Sequence, residues 1–171
     1  MSAAAKSAAA AVVEIETWLD PAVRPPVGLD ARRCVEAALA AADCDAQGLG
    51  LRWVGIDEST ELNARYRGKS GPTNVLAFPA PRLPGLPGEQ SGYLGDIAIC
   101  VPVLEAEAAE QGKTLHAHAA HLLIHGCLHL AGYEHDTVPA AERMERLETE
   151  VMAGLGHDDP YRSRLEGSVD D

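Results

Sequence analysis

Five of the seven histidines in this 171-residue chain fall within eighteen consecutive residues, and imidazole side chains grouped in this way are suited to bind a metal ion. They are His118, His121, His125, His129 and His135. His125 and His129 are four residues apart, so on a helix they lie on one face, one turn apart. Gly132 suits the end of that helix because glycine tolerates the left-handed conformation of a C-cap. The turn allows His135 to approach the same point.

The spacing H-x3-H-x5-H therefore predicts one Zn²⁺ per chain, held by His125, His129 and His135. Three protein ligands leave a fourth tetrahedral position open, which is typical of a catalytic zinc site. The spacing resembles the zinc-peptidase motif H-E-x-x-H-x-x-G-x-x-H. Gly126, however, stands where a peptidase carries its glutamate base, which disfavours peptidase chemistry. His121 lies on the same helix face one turn earlier and is a candidate fourth ligand, but the position favours a hydrogen-bond partner of a ligand histidine.

The charge of the chain is unevenly distributed. The net charge of −12 argues against binding of nucleic acid through bulk charge. Residues 24–82 nevertheless carry eight basic and seven acidic side chains, whereas residues 104–171 carry five basic and fourteen acidic ones. A site for a polyanion should therefore be built from the first half of the chain. Two Trp, four Tyr and one Phe are too few to indicate a stacking platform for several bases.

The four cysteines show no close pairing and no C-x-x-C motif, which favours reduced thiols and a cytoplasmic protein. No apolar run approaches the roughly 18 residues that a membrane span needs. We expect a disordered Ala-rich tail over residues 1–11, a single domain over residues 12–160 and an acidic C-terminal tail over residues 161–171.

Hydrophobic periodicity and turn residues predict four strands and five helices. The predicted strands cover residues 12–17, 51–56, 73–78 and 93–101. The predicted helices cover residues 31–42, 57–66, 102–111, 114–131 and 139–153. The order of these elements predicts a compact α/β (α+β) domain in which helices pack on a small mixed four-stranded sheet. A loop is predicted over residues 79–92.

Side chains that cap or bury these helices can also be predicted. Asp30 and Thr137 are placed to cap the first and last helices, and Ser59 or Asp57 to cap the second. In the last helix an apolar stripe at helical spacing indicates the core face, and the glutamates between its members are expected to be exposed. The stripe consists of Met144, Leu147, Val151 and Leu155.

Two long motifs resemble those of the YbeY family of bacterial ribosomal RNA maturation factors. Residues 125–136 read HGCLHLAGYEHD, similar to the family signature H-G-x-L-H-L-x-G-Y-D-H. Residues 62–79 read LNARYRGKSGPTNVLAFP, similar to L-N-x-x-Y-R-x-K-D-x-P-T-D-V-L-S-F-P. The resemblance covers most of residues 57–160. Glu134 replaces the usual aspartate and extends the reach of that carboxylate.

The resemblance implies a single-strand-specific, metal-dependent endoribonuclease of the bacterial cytoplasm. Such a protein acts in 3′-end maturation of small-subunit (16S) ribosomal RNA and in ribosome quality control. Its partners are ribosomal RNA and the ribosome or small-subunit proteins. By position, the resemblance assigns the metal ligands to His125, His129 and His135 and the active-site arginine to Arg67.

Further roles follow from the chemistry of phosphodiester cleavage. The planar fork of Arg67 suits two oxygens of one phosphate, and Arg65 and Lys69 are candidates to hold the RNA backbone. Glu134 and Asp96 are candidates to orient a ligand imidazole by accepting its second N–H. Asp96 is equally a candidate for a structural cap or turn residue. The alternative is a ribosome-assembly binding factor with a mainly structural zinc, which the negative charge and scarce aromatics favour.

Overall fold

The computed structural model describes residues 13–80 and 92–161, which form one mixed sheet covered by helices. The strands within these ranges are β1 (Glu14–Leu19), β2 (Gly48–Val54), β3 (Val75–Pro79) and β4 (Tyr93–Cys100). The helices are α1 (Ala31–Ala41), α2 (Ile56–Arg67), α3 (Val101–Gln111), α4 (Leu115–Leu130) and α5 (Val138–Gly154). The predicted fold class is confirmed.

The strand order is β1-β2-β4-β3, so β3 lies at one edge of the sheet and β1 at the other. β1, β2 and β4 run parallel, and β3 pairs antiparallel with β4. Three predicted segments lie wholly or partly outside the described residues. They are the N-terminal tail over residues 1–11, residues 81–91 of the loop and residues 162–171 of the C-terminal tail. None of the helices in the described ranges has the length and apolar character that crossing a bilayer requires.

Helix caps agree with the sequence at α1 and α5 but not at α2. Asp30 accepts a hydrogen bond from the N–H of Arg33, and Thr137 accepts one from Ala140, as predicted. The prediction that Ser59 or Asp57 caps α2 is wrong, because the helix begins at Ile56 after Gly55, with no side-chain cap. Ser59 is instead buried, and its hydroxyl bonds the backbone of Thr73.

Helix α4 lies at the centre of the hydrophobic core. It contacts α1, α3, α5, β3 and β4, and most of its side chains are buried. A helix that is apolar around most of its circumference is stable only when neighbours cover it. Gly126 allows a close approach to the sheet, since a Cβ at this position would lie 3.0–3.3 Å from the Ile97 side chain. Helix α4 is therefore fixed against β4 at the position that follows His125.

The apolar stripe of α5 packs on this core as predicted. Met144 and Val151 are buried, and Leu147 and Leu155 pack partly buried against them. One expectation for this helix is wrong: Glu148 has no exposed surface, although the glutamates of α5 were expected to face solvent. A fully buried carboxylate must find hydrogen-bond partners inside the protein. These partners lie on α4.

Candidate metal centre and its cavity

The end of α4 brings three histidines together. His125 and His129 lie on the last turns of the helix with ring centroids 5.1 Å apart. Gly132, at φ +107°, reverses the chain, and two backbone bonds close the turn: Gly132 N–H to the His129 carbonyl and Tyr133 N–H to the Leu128 carbonyl, each 3.0 Å. The chain then returns, and the ring centroid of His135 lies 4.8 Å from that of His129.

The arrangement of these three imidazoles fits a bound metal ion. One ligand nitrogen from each of His125, His129 and His135 lies within 4.8 Å of the other two. His125 and His129 are half-buried, and His135 is exposed, so the group is open on one side. Burial and the neighbouring histidines lower the pKa of His129, which favours the neutral imidazole that metals bind. The structure therefore brings together the three residues that the H-x3-H-x5-H spacing singled out.

Glu148 fixes one of these imidazoles from behind. Its Oε2 accepts a hydrogen bond from Nδ1 of His125 at 2.6 Å, and its Oε1 accepts one from Nε2 of His121 at 2.7 Å. The hydroxyl of Tyr161 also donates to Oε1. When Nδ1 of His125 carries the proton, the lone pair of Nε2 is available to a metal. His121 therefore contacts the candidate metal centre indirectly, because it donates to the Glu148 carboxylate that holds His125.

The carboxylate of Glu148 is held in its ionised form. Burial alone would raise its pKa, but the hydrogen bonds from His121 and His125 outweigh burial and lower the pKa from 4.5 to about 2. The sequence pattern did not single out Glu148, because it places all the glutamates of α5 on one exposed face. The signal was present, since Glu148 lies four residues after Met144 and three before Val151, on the apolar stripe itself.

The two carboxylates predicted to orient an imidazole are placed differently. Oε1 of Glu134 lies 3.9 Å from Nδ1 of His129, beyond hydrogen-bonding distance, and the Glu134 side chain is 63% exposed. Asp96 accepts a hydrogen bond from the Tyr93 hydroxyl and neighbours Ile97, whose side chain packs against α4. Successive strand residues point to opposite faces, so Asp96 points away from α4. This position does not fit the role predicted for Asp96.

Arg67 lines the same cavity as the three histidines. The cavity has a volume of about 770 Å³. Its wall includes Tyr66, Arg67, Phe78, His125, His129, Glu134 and His135. Arg67 is the last residue of α2, because Gly68 adopts a left-handed conformation, φ +65°, and ends the helix.

Buried polar side chains of α2 connect Arg67 to the edge strand. Nδ2 of Asn63 donates to the carbonyl of Gly71 at 2.9 Å, and Ser59 bonds both backbone groups of Thr73. These contacts hold the chain between α2 and β3 against the helix. They fix the position of Arg67 relative to the cavity wall that β3 contributes.

The two further basic residues predicted to bind RNA lie outside this wall. Arg65 forms an ion pair with Glu61, one turn earlier on α2, at 3.1 Å. Lys69 follows the helix and is exposed. Neither is among the described residues that line the cavity.

A second cavity, of about 620 Å³, adjoins the first at His125. It contains His118, whose Nε2 bonds Oε1 of Glu107 at 2.9 Å, and Asn74, which donates to the same carboxylate. Burial lowers the pKa of His118, against the opposing effect of Glu107. This network joins α3 and α4 to the chain that enters β3.

Comparisons with known proteins show which family this chain resembles. Residues 27–156 match the family model described as Endoribonuclease YbeY. A protein of that name from Halorhodospira halophila is 53% identical over 116 residues, 68% of this chain and 75% of that protein. Another from Stutzerimonas stutzeri is 47% identical over 152 residues, 88% of this chain and 92% of that protein.

A solved structure shares the fold. The solution structure of a Thermotoga maritima protein superposes with a TM-score of 0.51 at 26% identity, and covers 85% of this chain and 97% of that one. The family match spans α1 to the end of α5 and includes Arg67, Glu148 and the three clustered histidines. This chain belongs to the endoribonuclease YbeY family.

Proposed function

We propose that this protein is a single-strand-specific, zinc-dependent endoribonuclease of the bacterial cytoplasm. Its substrate is ribosomal RNA, and its roles are 3′-end maturation of small-subunit (16S) RNA and ribosome quality control, on the ribosome or with small-subunit proteins. The observation that carries this proposal is that Arg67 and the three-histidine cluster share one cavity. Family membership supports the activity, and the four free cysteines suit a reducing compartment.

The residues of the cavity divide the chemistry between them. His125, His129 and His135 would hold the metal, and Glu148 keeps the His125 imidazole in the orientation and tautomer that a ligand needs. A bound zinc ion would supply Lewis-acid chemistry, which lowers the pKa of water and polarises phosphate oxygens. Arg67 binds two oxygens of the phosphate through its planar fork and stabilises the charge that develops as the bond breaks.

The metal is proposed as zinc because three imidazoles with an open side form the ligand set of catalytic zinc. The same donors suit nickel, copper and iron. Metal analysis of the protein purified from its own host without chelators identifies the ion. One zinc per chain is expected.

The proposal is tested by cleavage of RNA that carries the 3′ end of the small-subunit precursor. The expected result is cutting of the single-stranded segment and no cutting of the same segment annealed to its complement. Arg67→Ala should lose cutting while it keeps the metal, and His129→Ala should lose both. Unchanged cutting by both variants would reject this site.

The same assay separates the competing functions. Association with the small ribosomal subunit that survives Arg67→Ala, with no cutting at any zinc load, would favour a binding factor with a structural zinc. A zinc peptidase is opposed by the packing at Gly126, because a side chain at this position meets Ile97 on the sheet. Turnover of an unstructured protein would nevertheless be evidence for that activity.

A further inference from the structure

Tyr66 is a large aromatic side chain left mostly in solvent. The Tyr66 side chain is 60% exposed. The whole chain has only seven aromatic residues, so an exposed ring at this position is notable. Its ring is nevertheless held in place, because it packs edge-on against Phe78 with the centroids 5.0 Å apart and the planes at 60°. Phe78 belongs to β3 and is half-buried. The ring of Tyr66 is therefore both accessible and fixed.

Tyr66 also shares the cavity of the candidate metal centre. It precedes Arg67 at the C-terminal end of α2, and both side chains line the cavity. Among the described residues of the cavity wall, the aromatic rings other than imidazoles belong to Tyr66 and Phe78. The cavity volume of about 770 Å³ lies within the roughly 300–1,000 Å³ of small-ligand sites. A nucleotide whose phosphate binds Arg67 would thus have its base beside an exposed phenol ring.

We propose that Tyr66 is a stacking platform for one nucleobase of the RNA, next to the phosphate that Arg67 binds. The inference rests on the proposed function and names the contact through which the same cavity recognises its substrate. A base can stack on a protein ring only when its own face is free, so a platform of this kind favours unpaired RNA. It tolerates every base, since each has a π-face. The platform thereby supplies a physical reason for single-strand specificity.

The inference is tested by steady-state cleavage of single-stranded RNA with zinc-loaded protein. Tyr66→Leu should raise KM roughly 5- to 150-fold and leave kcat nearly unchanged. Tyr66→Phe and Tyr66→Trp keep the ring and should behave like the parent protein. Trp18→Leu is the matched control, since Trp18 is 44% exposed on β1, at the opposite edge of the sheet.

Substrates with a single abasic nucleotide distinguish stacking from a structural role. An abasic nucleotide at one position near the cut should weaken cleavage by the parent protein as much as Tyr66→Leu does. The same substrate should show no further loss with Tyr66→Leu, because the two changes remove one contact. Equal losses for Tyr66→Phe and Tyr66→Leu, or an unchanged KM for Tyr66→Leu, would overturn the platform.

Equilibrium binding keeps this test separate from that of the proposed function. Fluorescence anisotropy measures binding of a single-stranded oligonucleotide by the parent protein and Tyr66→Leu. Weaker binding by Tyr66→Leu supports the platform whether or not the parent protein cuts RNA. Absence of cutting by the parent protein would refute the proposed function but not the platform. Equal binding, with cutting intact in the parent protein, overturns the platform alone.

Discussion

The Oε2 atom of Glu148, on α5, lies 2.6 Å from Nδ1 of His125, on α4. The Glu148 side chain has no contact with solvent. His121 donates to the other oxygen at 2.7 Å. Burying a carboxylate is costly, and hydrogen bonds from two imidazoles offset that cost. The interaction fixes the ring of His125 and connects the candidate metal centre to the packing of α5.

Removing this carboxylate should weaken metal binding. We expect Glu148→Gln to lower zinc affinity by about 10- to 100-fold, the usual effect of losing a carboxylate behind a ligand imidazole. Competition with a chromophoric chelator measures the affinity directly. Glu150→Gln, at an exposed position on the same helix, is the control and should bind zinc like the parent protein. Equal affinities in the two variants would show that Glu148 has no role in the centre.

Replacing Arg67 should reduce cleavage without removing the metal. Arg67→Lys keeps the positive charge but loses the planar fork, so we expect kcat/KM for RNA to fall at least about tenfold. Zinc content should stay at one per chain. The control is Arg65→Lys, where the side chain pairs with Glu61 and lies outside the cavity wall. An unchanged kcat/KM in Arg67→Lys would mean that Arg67 acts only through its charge, and an equal fall in Arg65→Lys would mean that the effect is not specific to the cavity.

His118 should make stability depend on pH. The unfolded chain protonates this group near pH 6.5, and the folded protein resists protonation because burial lowers the pKa. The unfolded state therefore binds more protons just below pH 6.5. The contribution of His118 to the free energy of unfolding is fully present above that pH and decreases as the pH falls below it. Each such proton contributes at most about 1.4 kcal/mol per pH unit.

Denaturant unfolding in chelator at pH 5 to 7.5 measures this dependence. His118→Gln should show a smaller change in the free energy of unfolding with pH than the parent protein. His116→Gln, at an exposed position of the same helix, should keep the pH dependence that His118 contributes and lose only the smaller effect of His116 on the neighbouring His157. Parallel curves for all three proteins would contradict the effect assigned to His118.

Adding a methyl group at Gly126 should destabilise the fold. The new Cβ would lie 3.0–3.3 Å from three atoms of Ile97, which is fully buried. Overpacking costs roughly 1–3 kcal/mol, and the better helix propensity of alanine returns about 0.5–1 kcal/mol. We expect Gly126→Ala to lose about 1 kcal/mol in urea unfolding.

Gly154→Ala is the control in which an added methyl group meets open space. Gly154 also lies in a helix, and an added Cβ meets no heavy atom within 4 Å, so this variant should gain stability. A gain in both variants would show that the contact between α4 and β4 has room for a side chain at position 126.

Local patterns in the sequence identified the parts of the site that lie close together along the chain. The spacing of His125 and His129 requires only a helix, and Gly132 requires only a turn, so their geometry could be predicted. Arg67 came from the resemblance to the family. The element types were predictable because apolar periodicity and turn residues are local signals.

Contacts between distant segments could not be predicted in this way. Glu148 is buried because α5 packs on α4, and helix packing is not encoded in either helix alone. Asp96 was assigned by its chemistry, but the face of β4 it occupies depends on which side α4 packs. Ser59, one of the two candidates to cap α2, instead bonds a residue fourteen positions later.

Zinc titration with a cleavage readout tests whether RNA cutting depends on one metal ion held by the three clustered histidines. Protein stripped by chelation and dialysed receives zinc in steps, and cutting of single-stranded RNA is measured at each step. We expect no cutting at the start and an increase that stops at one zinc per chain, with His135→Ala inactive at that ratio. Full cutting by the stripped protein, or by His135→Ala at one zinc per chain, would contradict this expectation.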